Sequence, residues 1–182
     1  MLPMRRVVLS GGPGAGKTTL LLELSRRGYV TVSESAREVI AERLARGEAP
    51  RPDPETFARE ILRRDMAKYK VWSDDSSPVF FDRSAVEALG MLKEATNLPE
   101  EDLNAQLEAL KYSGTVFVLP PWSDIYRTDA ERDHSFDHAE RVHCEVVRWY
   151  RTCGYEVHEV PRLPVEQRAD HVLQALSATS DA

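Results

Sequence analysis

Short apolar runs alternate along this chain with segments in which apolar positions recur every three or four residues. The run RRVVLS at 5–10 reads as a first strand. From Lys17 to Arg27 the spacing of Leu20, Leu21 and Leu24 predicts a helix, with Gly28 placed to cap its end. YVTVS at 29–33 is a second strand, and a helix over about 35–46 carries Val39, Ile40 and Leu44 on one face. After the connector EAPRPDPET, Asp53 as N-cap and Pro54 as first helical residue open a helix to about Lys70. That helix buries Phe57, Ile61 and Leu62, while its arginines and glutamates read as a solvated face. PVFFD at 78–82 is a continuous apolar run, the pattern of a strand covered on both faces. Helices over SAVEALGMLKEA and PEEDLNAQLEALKY come next, then a strand GTVFVLP at 114–120. An amphipathic helix from Asp137 to Cys153, a strand YEVHEV at 155–160 and a helix after Pro164 complete the pattern.

Strand and helix in regular alternation imply right-handed crossovers, hence an α/β fold: a parallel sheet with helices on both faces. A length of 182 residues fits one domain, 1–182. Ligands of such sheets bind beyond the carboxyl ends of the strands. That rule selects 10–18, 33–37, 82–84 and 120–136, distant in sequence but expected to converge.

Charge and composition narrow the function classes. The net charge of −6 argues against broad nucleic-acid binding, which needs a basic surface to displace counterions. No apolar stretch approaches the ~20 residues of a membrane-spanning helix, and none at the N-terminus reads as an export signal. Cys144 and Cys153 lack metal-site spacing, so two free thiols in a reducing cytoplasm are expected. His134, His138 and His143 with Cys144 fit no standard zinc spacing.

Between the first strand and the first helix stands GGPGAGKTT, which matches G-x-x-x-x-G-K-[ST] at Gly11, Gly16, Lys17 and Thr18. Glycines let the backbone wrap closely around an anion. Amide groups of Gly11, Gly12, Pro13–Gly14, Ala15 and Gly16 surround the phosphates, proline excepted as a donor, and the helix N-terminus adds its dipole. Lys17 is expected to reach the β- and γ-phosphates of ATP, Thr18 to coordinate Mg²⁺ and Thr19 to bond the α-phosphate. The loop speaks for nucleoside triphosphate binding and leaves the fate of the bound nucleotide open.

Three further places carry chemistry. Asp82 ends an apolar strand, where an acid either partners Mg²⁺ or caps the next helix; Arg83 and Ser84 come directly after it. Glu34 stands at the end of the second strand, placed to accept a proton from an attacking hydroxyl or to grip sugar hydroxyls. Arg37, one turn on, pairs with Glu34 or binds an anionic substrate; a capping Ser33 before a solvated ion pair is the plainer alternative. The segment 121–136 is long for a connection without structure, as lids are. Its Arg127 and Arg132 are candidate arginine fingers, or simply part of a solvated charged loop, and Trp122 and Tyr126 stack on a base or pack at a hinge.

GGPGAGKTT, VSESAR, VFFDRS, YRTDAERDHSFDHA and YEVHEVPRLPVEQRADHVL together resemble the small P-loop ATPase/kinase family that includes the ribosylnicotinamide kinase domain of bacterial NAD-metabolism proteins. The likeness covers nearly the whole chain, and DRS at Asp82 is similar to the D/E-R-S element of deoxynucleoside and thymidylate kinases. The resemblance implies a P-loop NTPase three-layer sandwich with strand order 2-3-1-4-5, an acceptor side over 34–77 and a lid over 121–136. It implies ATP- and Mg²⁺-dependent transfer of the γ-phosphoryl group to a hydroxyl of a small molecule such as a nucleoside. Gly11 to Thr19 would bind ATP, and Glu34, Arg37, Asp82 and Arg83 would border the acceptor; either Glu34 or Asp82 is the candidate base. The competing expectation is a nucleotide-dependent regulatory ATPase that signals through a partner protein. A guanine-type N-K-x-D element is missing after the fourth strand, which reads VLPPWSD.

Overall fold

The computed structural model describes residues 6–72, 77–126 and 135–178. The apolar runs form the strands β1 (Arg6–Gly11), β2 (Val30–Val32), β3 (Val79–Asp82), β4 (Thr115–Leu119) and β5 (Glu156–Glu159). They join as one parallel sheet in the order β2-β3-β1-β4-β5. Between them run the helices α1 (Lys17–Arg26), α2 (Ser35–Ala45), α3 (Pro54–Val71), α4 (Ala85–Ala95), α5 (Glu100–Glu108), α6 (Phe136–Thr152) and α7 (Val165–Ala178).

The continuous apolar runs are explained by burial on two faces. Alternate residues of the central strands point to opposite sides. Val8, Val79, Phe81, Val116 and Val118 meet Leu89, Leu103, Val146 and Tyr150 of α4, α5 and α6 on one face. Val7, Leu9, Phe80, Phe117 and Leu119 meet Leu20 and Leu24 of α1 and Val172 and Leu176 of α7 on the other. β5, by contrast, is an edge strand ended by exposed Glu156 and Glu159, charges that discourage pairing with another chain.

Helix starts obey the expected chemistry. Asp53 caps α3 by accepting from Thr56 N at 3.0 Å, and Pro54 occupies the first turn. Ser135 caps α6, one residue earlier than its amphipathic pattern marks, by accepting from His138 N. One helix ends early. The pattern carries α5 toward Tyr112, yet it stops at Glu108. The residues beyond are claimed by other elements: Lys111 N donates to Tyr69 Oη at 2.6 Å, Ser113 N donates to Arg6 O, and the Tyr112 ring meets Phe81 edge-on. Tertiary bonds here override a good helical sequence.

Candidate active site

The first three expected places, 10–18, 33–37 and 82–84, meet at one rim because β1, β3 and β2 are neighbours and all run the same way. β1 leads into the glycine loop, and α1 begins beyond it with Gly16 at its N-cap. Gly16 adopts φ 85°, the left-handed region that a side chain resists. At Gly12 the constraint is space: a Cβ would sit on the carbonyl oxygen of Ala139 in α6. Lys17 is 6% exposed, and its Nζ donates to the carbonyls of Gly11 at 3.2 Å and Gly12 at 3.0 Å. Burial, then the nearby Arg83, lowers its pKa, opposed by Asp82, Glu34 and Glu87. Ala15 is buried in the core, whereas Thr18 and Thr19 are exposed in the first turn of α1.

Arg83 is the hub of the rim. It has φ 66°, an uncommon value for a residue with a Cβ, costing about 1 kcal/mol or more. That turn brings its guanidinium to three partners. Nε donates to Glu34 Oε1 at 3.1 Å, Nη1 to Glu87 Oε2 at 2.7 Å and Nη2 to Gly11 O at 3.0 Å. Glu34 also stands 3.6 Å from Arg37 Nε, the expected i, i+3 pair. Burial works against ionising Glu34, but Arg83, Lys17 and Arg37 outweigh it and lower its pKa. Glu34 is therefore a carboxylate at neutral pH, and it faces the site rather than forming a solvated surface pair: its side chain is 15% exposed.

Asp82 closes β3 beside these charges. Burial pushes its carboxyl up to about 6; Lys17 pulls it down and Glu34 adds to the rise. Its Oδ1 is buried with no hydrogen-bond partner among the described residues. The helix-cap alternative is not what the fold uses, since the N-cap of α4 is Ser84. Ser84 Oγ instead lies 2.7 Å from Tyr150 Oη.

Sequence reasoning missed Glu87. Ser10 Oγ donates to its Oε1 at 2.6 Å and Tyr150 Oη donates to the same oxygen at 2.8 Å, while Arg83 takes Oε2. One buried carboxylate thus ties β1, α4 and α6 to the arginine at the rim. The available signal was a single acid in the otherwise apolar run AVEALGML, four residues after Arg83.

Beside the loop opens a cavity of about 380 Å³. Lys17, Glu34, Arg37 and Arg83 line its polar side, and Phe57, Ile61, Met91, Val146 and Trp149 are among its apolar lining; Asp82 does not border it. Sequence reasoning missed several polar residues that also line it, among them Asp65 of α3, Ser35 of α2, Glu94 of α4 and Glu145 of α6.

The fourth place is described only in part. Arg127, Arg132 and His134 lie outside the described residues. The residues on either side of them pack against the phosphate loop. A Cβ at Gly14 would come within 2.6 Å of the Tyr126 ring, and Tyr126 meets Phe136 edge-on at 5.4 Å. Trp122 lies under Arg168 of α7, whose Nη1 is 3.5 Å from Gly16 O. These aromatic residues pack at the two ends of the segment.

Comparison with known proteins agrees with this geometry. A family model described as an AAA domain matches residues 6–168. A search of curated proteins finds no significant match. Among solved structures, the chain is similar to deoxyadenosine kinase from M. mycoides, with TM-score 0.65 and 18% identity over 95% of this chain and 99% of that one. It is also similar to the NadR protein in complex with NR, with TM-score 0.70 and 21% identity over 98% of this chain and 52% of that one. The chain therefore spans about half the length of NadR. At these identities the likeness carries the fold alone, an α/β fold whose sheet in this chain has the order β2-β3-β1-β4-β5. Since the family match takes in the glycine loop and extends from β1 into α7, the chain belongs to the AAA domain family of P-loop proteins.

Proposed function

We propose that this protein is an ATP- and Mg²⁺-dependent phosphotransferase that moves the γ-phosphoryl group to a hydroxyl of a small, nucleoside-like molecule. The observation that carries this reading is the cavity of about 380 Å³ beside the phosphate loop. A regulatory ATPase that only holds and hydrolyses its nucleotide needs no second chamber there. An acceptor of nucleoside size fills one. The kinase neighbours support the choice of donor and acceptor class, having been solved with dATP in one case and with NAD and AMP-PNP in the other.

In this reading Gly11 to Thr19 hold the triphosphate, Lys17 moves from loop carbonyls to phosphate oxygens, and residues 34–77 form the acceptor side of a single kinase-like domain, 1–182. The residues fit Mg²⁺: Asp82 offers a buried oxygen that lacks a partner among the described residues, and Thr18 is exposed at the first turn. Bound there, the ion would neutralise charge on the phosphates. Glu34, ionised and bordering the cavity, orients the acceptor hydroxyl for in-line attack and takes up its proton. Arg37 and Arg83 border the acceptor, and Arg83 supplies positive charge where the transferred group passes. Arg127 and Arg132, which lie outside the described residues, are the candidate arginine fingers of a lid over 121–136 in this reading.

The free thiols of Cys144 and Cys153 support a reducing, cytoplasmic setting. Among the described residues no helix is long and apolar enough to cross a membrane.

The test is to incubate the protein with radiolabelled ATP, Mg²⁺ and a panel of nucleosides and related metabolites and to look for a labelled product. Glu34→Gln is expected to retain ATP binding while transfer falls by about 100-fold or more. Transfer at the original rate in that variant would remove Glu34 from the role given to it.

A further inference from the structure

Into the cavity α3 brings one carboxyl group, Asp65, which is 8% exposed. Phe57 and Ile61 of the same helix, Ile40 of α2 and Trp149 of α6 also line the chamber. Asp65 Oδ1 accepts from Ser35 Oγ at 2.5 Å, and among the described residues no hydrogen bond is donated to Oδ2. Burying a carboxyl group costs free energy that one hydroxyl partner does not recover. A purely structural contact between α2 and α3 is made more cheaply by apolar side chains, as the neighbouring cluster of Val39, Ile40, Phe57 and Ile61 does. Ser35 is the residue after Glu34, so the Ser35–Asp65 pair stands next along the chain to the carboxylate that faces the acceptor hydroxyl. A molecule with its hydroxyl at Glu34 and Arg83 has the rest of its body in the chamber that Asp65 borders.

We infer that Asp65 reads the ring of the acceptor by taking a hydrogen bond from an amino or carboxamide N–H on a flat heterocycle. This rests on the phosphotransferase reading for where the hydroxyl lies. Adenine, cytosine and a nicotinamide-type carboxamide share that chemistry: an N–H donor beside an acceptor atom. An ionised Asp65 accepts from the N–H, and a protonated one also donates to the neighbouring atom. An oxo group in the same place sets lone pairs against the carboxylate, and a ring carboxylate sets charge against charge.

The charges around Asp65 make the selectivity depend on pH. Burial raises its pKa to about 7; the bond from Ser35 and the charge of Lys68 pull it down, while Glu87 and Glu34 push it further up. Above that range the carboxylate rejects oxo groups most strongly, and below it the neutral acid tolerates them.

The experiment uses the intact protein and three matched pairs: cytidine and uridine, adenosine and inosine, nicotinamide riboside and its nicotinic acid counterpart. Binding is measured by calorimetry and transfer by initial rate, at about pH 6 and about pH 8, on either side of the Asp65 ionisation. At the higher pH the amino or carboxamide member of at least one pair is expected to bind about 10-fold or more tighter than its mate. The pair that responds distinguishes an amidine-bearing base from a carboxamide. Asp65→Asn keeps a partner for Ser35 and is expected to lose the pH dependence of that preference. Asp65→Leu is expected to bring the ratio near one. Equal affinities within every pair, a preference that survives Asp65→Leu, or no nucleoside binding at all would overturn the inference. A preference in binding without any transfer would sustain it and overturn the phosphotransferase reading, whereas transfer without preference would do the reverse.

Discussion

Arg83 accepts a left-handed backbone to reach Glu34, Glu87 and the Gly11 carbonyl at once. Glu87 is what fixes it, because Ser10 and Tyr150 leave that carboxylate no other direction to turn. Glu87→Ala removes the partner of a buried guanidinium and two hydroxyls together. It is expected to cost roughly 3–5 kcal/mol in denaturant unfolding, with Glu87→Gln milder; wild-type stability in the alanine variant would contradict the network. Asp65 adds a pH-dependent contribution. Its carboxyl is raised from 3.8 to about 7, so the folded protein keeps a proton that the unfolded chain has already released. Stability from this group is fully present below about pH 4 and is lost as pH rises through about 7. Asp65→Asn is expected to flatten that descent in urea unfolding; an unchanged slope would show that the carboxyl is not held in its neutral form. Glu34, Asp82 and Arg83 were legible in the sequence because residues at strand ends have a known destination in a parallel sheet. Glu87 and Asp65 were not, because a lone acid in a helix reads locally as a surface position, and only the partner from another element shows otherwise.

At the scale of elements, the glycine loop is shaped from behind by α6. α6 lies so close to Gly12 that a side chain there meets the backbone of Ala139, and neither atom belongs to a flexible side chain that can yield. Gly12→Ala is therefore expected to lower thermal stability by about 1–3 kcal/mol and to weaken ATP binding with it; a variant indistinguishable from wild type in both would place α6 farther away. Periodicity located the helices and strands well because most of them bury a face, and burial is what periodicity records. The end of α5 was hidden because Lys111, Tyr112 and Ser113 are drawn off by Tyr69, Phe81 and Arg6 from distant positions. Strand order was hidden too: alternation implies parallel strands and crossovers but not which strand lies beside which, and here the order came from the family likeness.

For the whole molecule, the sheet brings together a glycine loop carrying Lys17 and a largely apolar cavity, which adjoin at Lys17, Glu34 and Arg83. In the proposed transfer such an arrangement brings a charged donor and a mostly apolar acceptor face to face, leaving the protein to position them and neutralise charge. The cavity is a property of how α2, α3, α4 and α6 meet, so no single stretch of sequence announces it. Every step of the proposed transfer requires that the glycine loop grip a polyphosphate. Titrating the protein with ATP in the presence of Mg²⁺ in a calorimeter tests this most directly. A saturable heat of association, abolished in Lys17→Ala, is the expected result, and the absence of heat with every purine triphosphate would contradict the account.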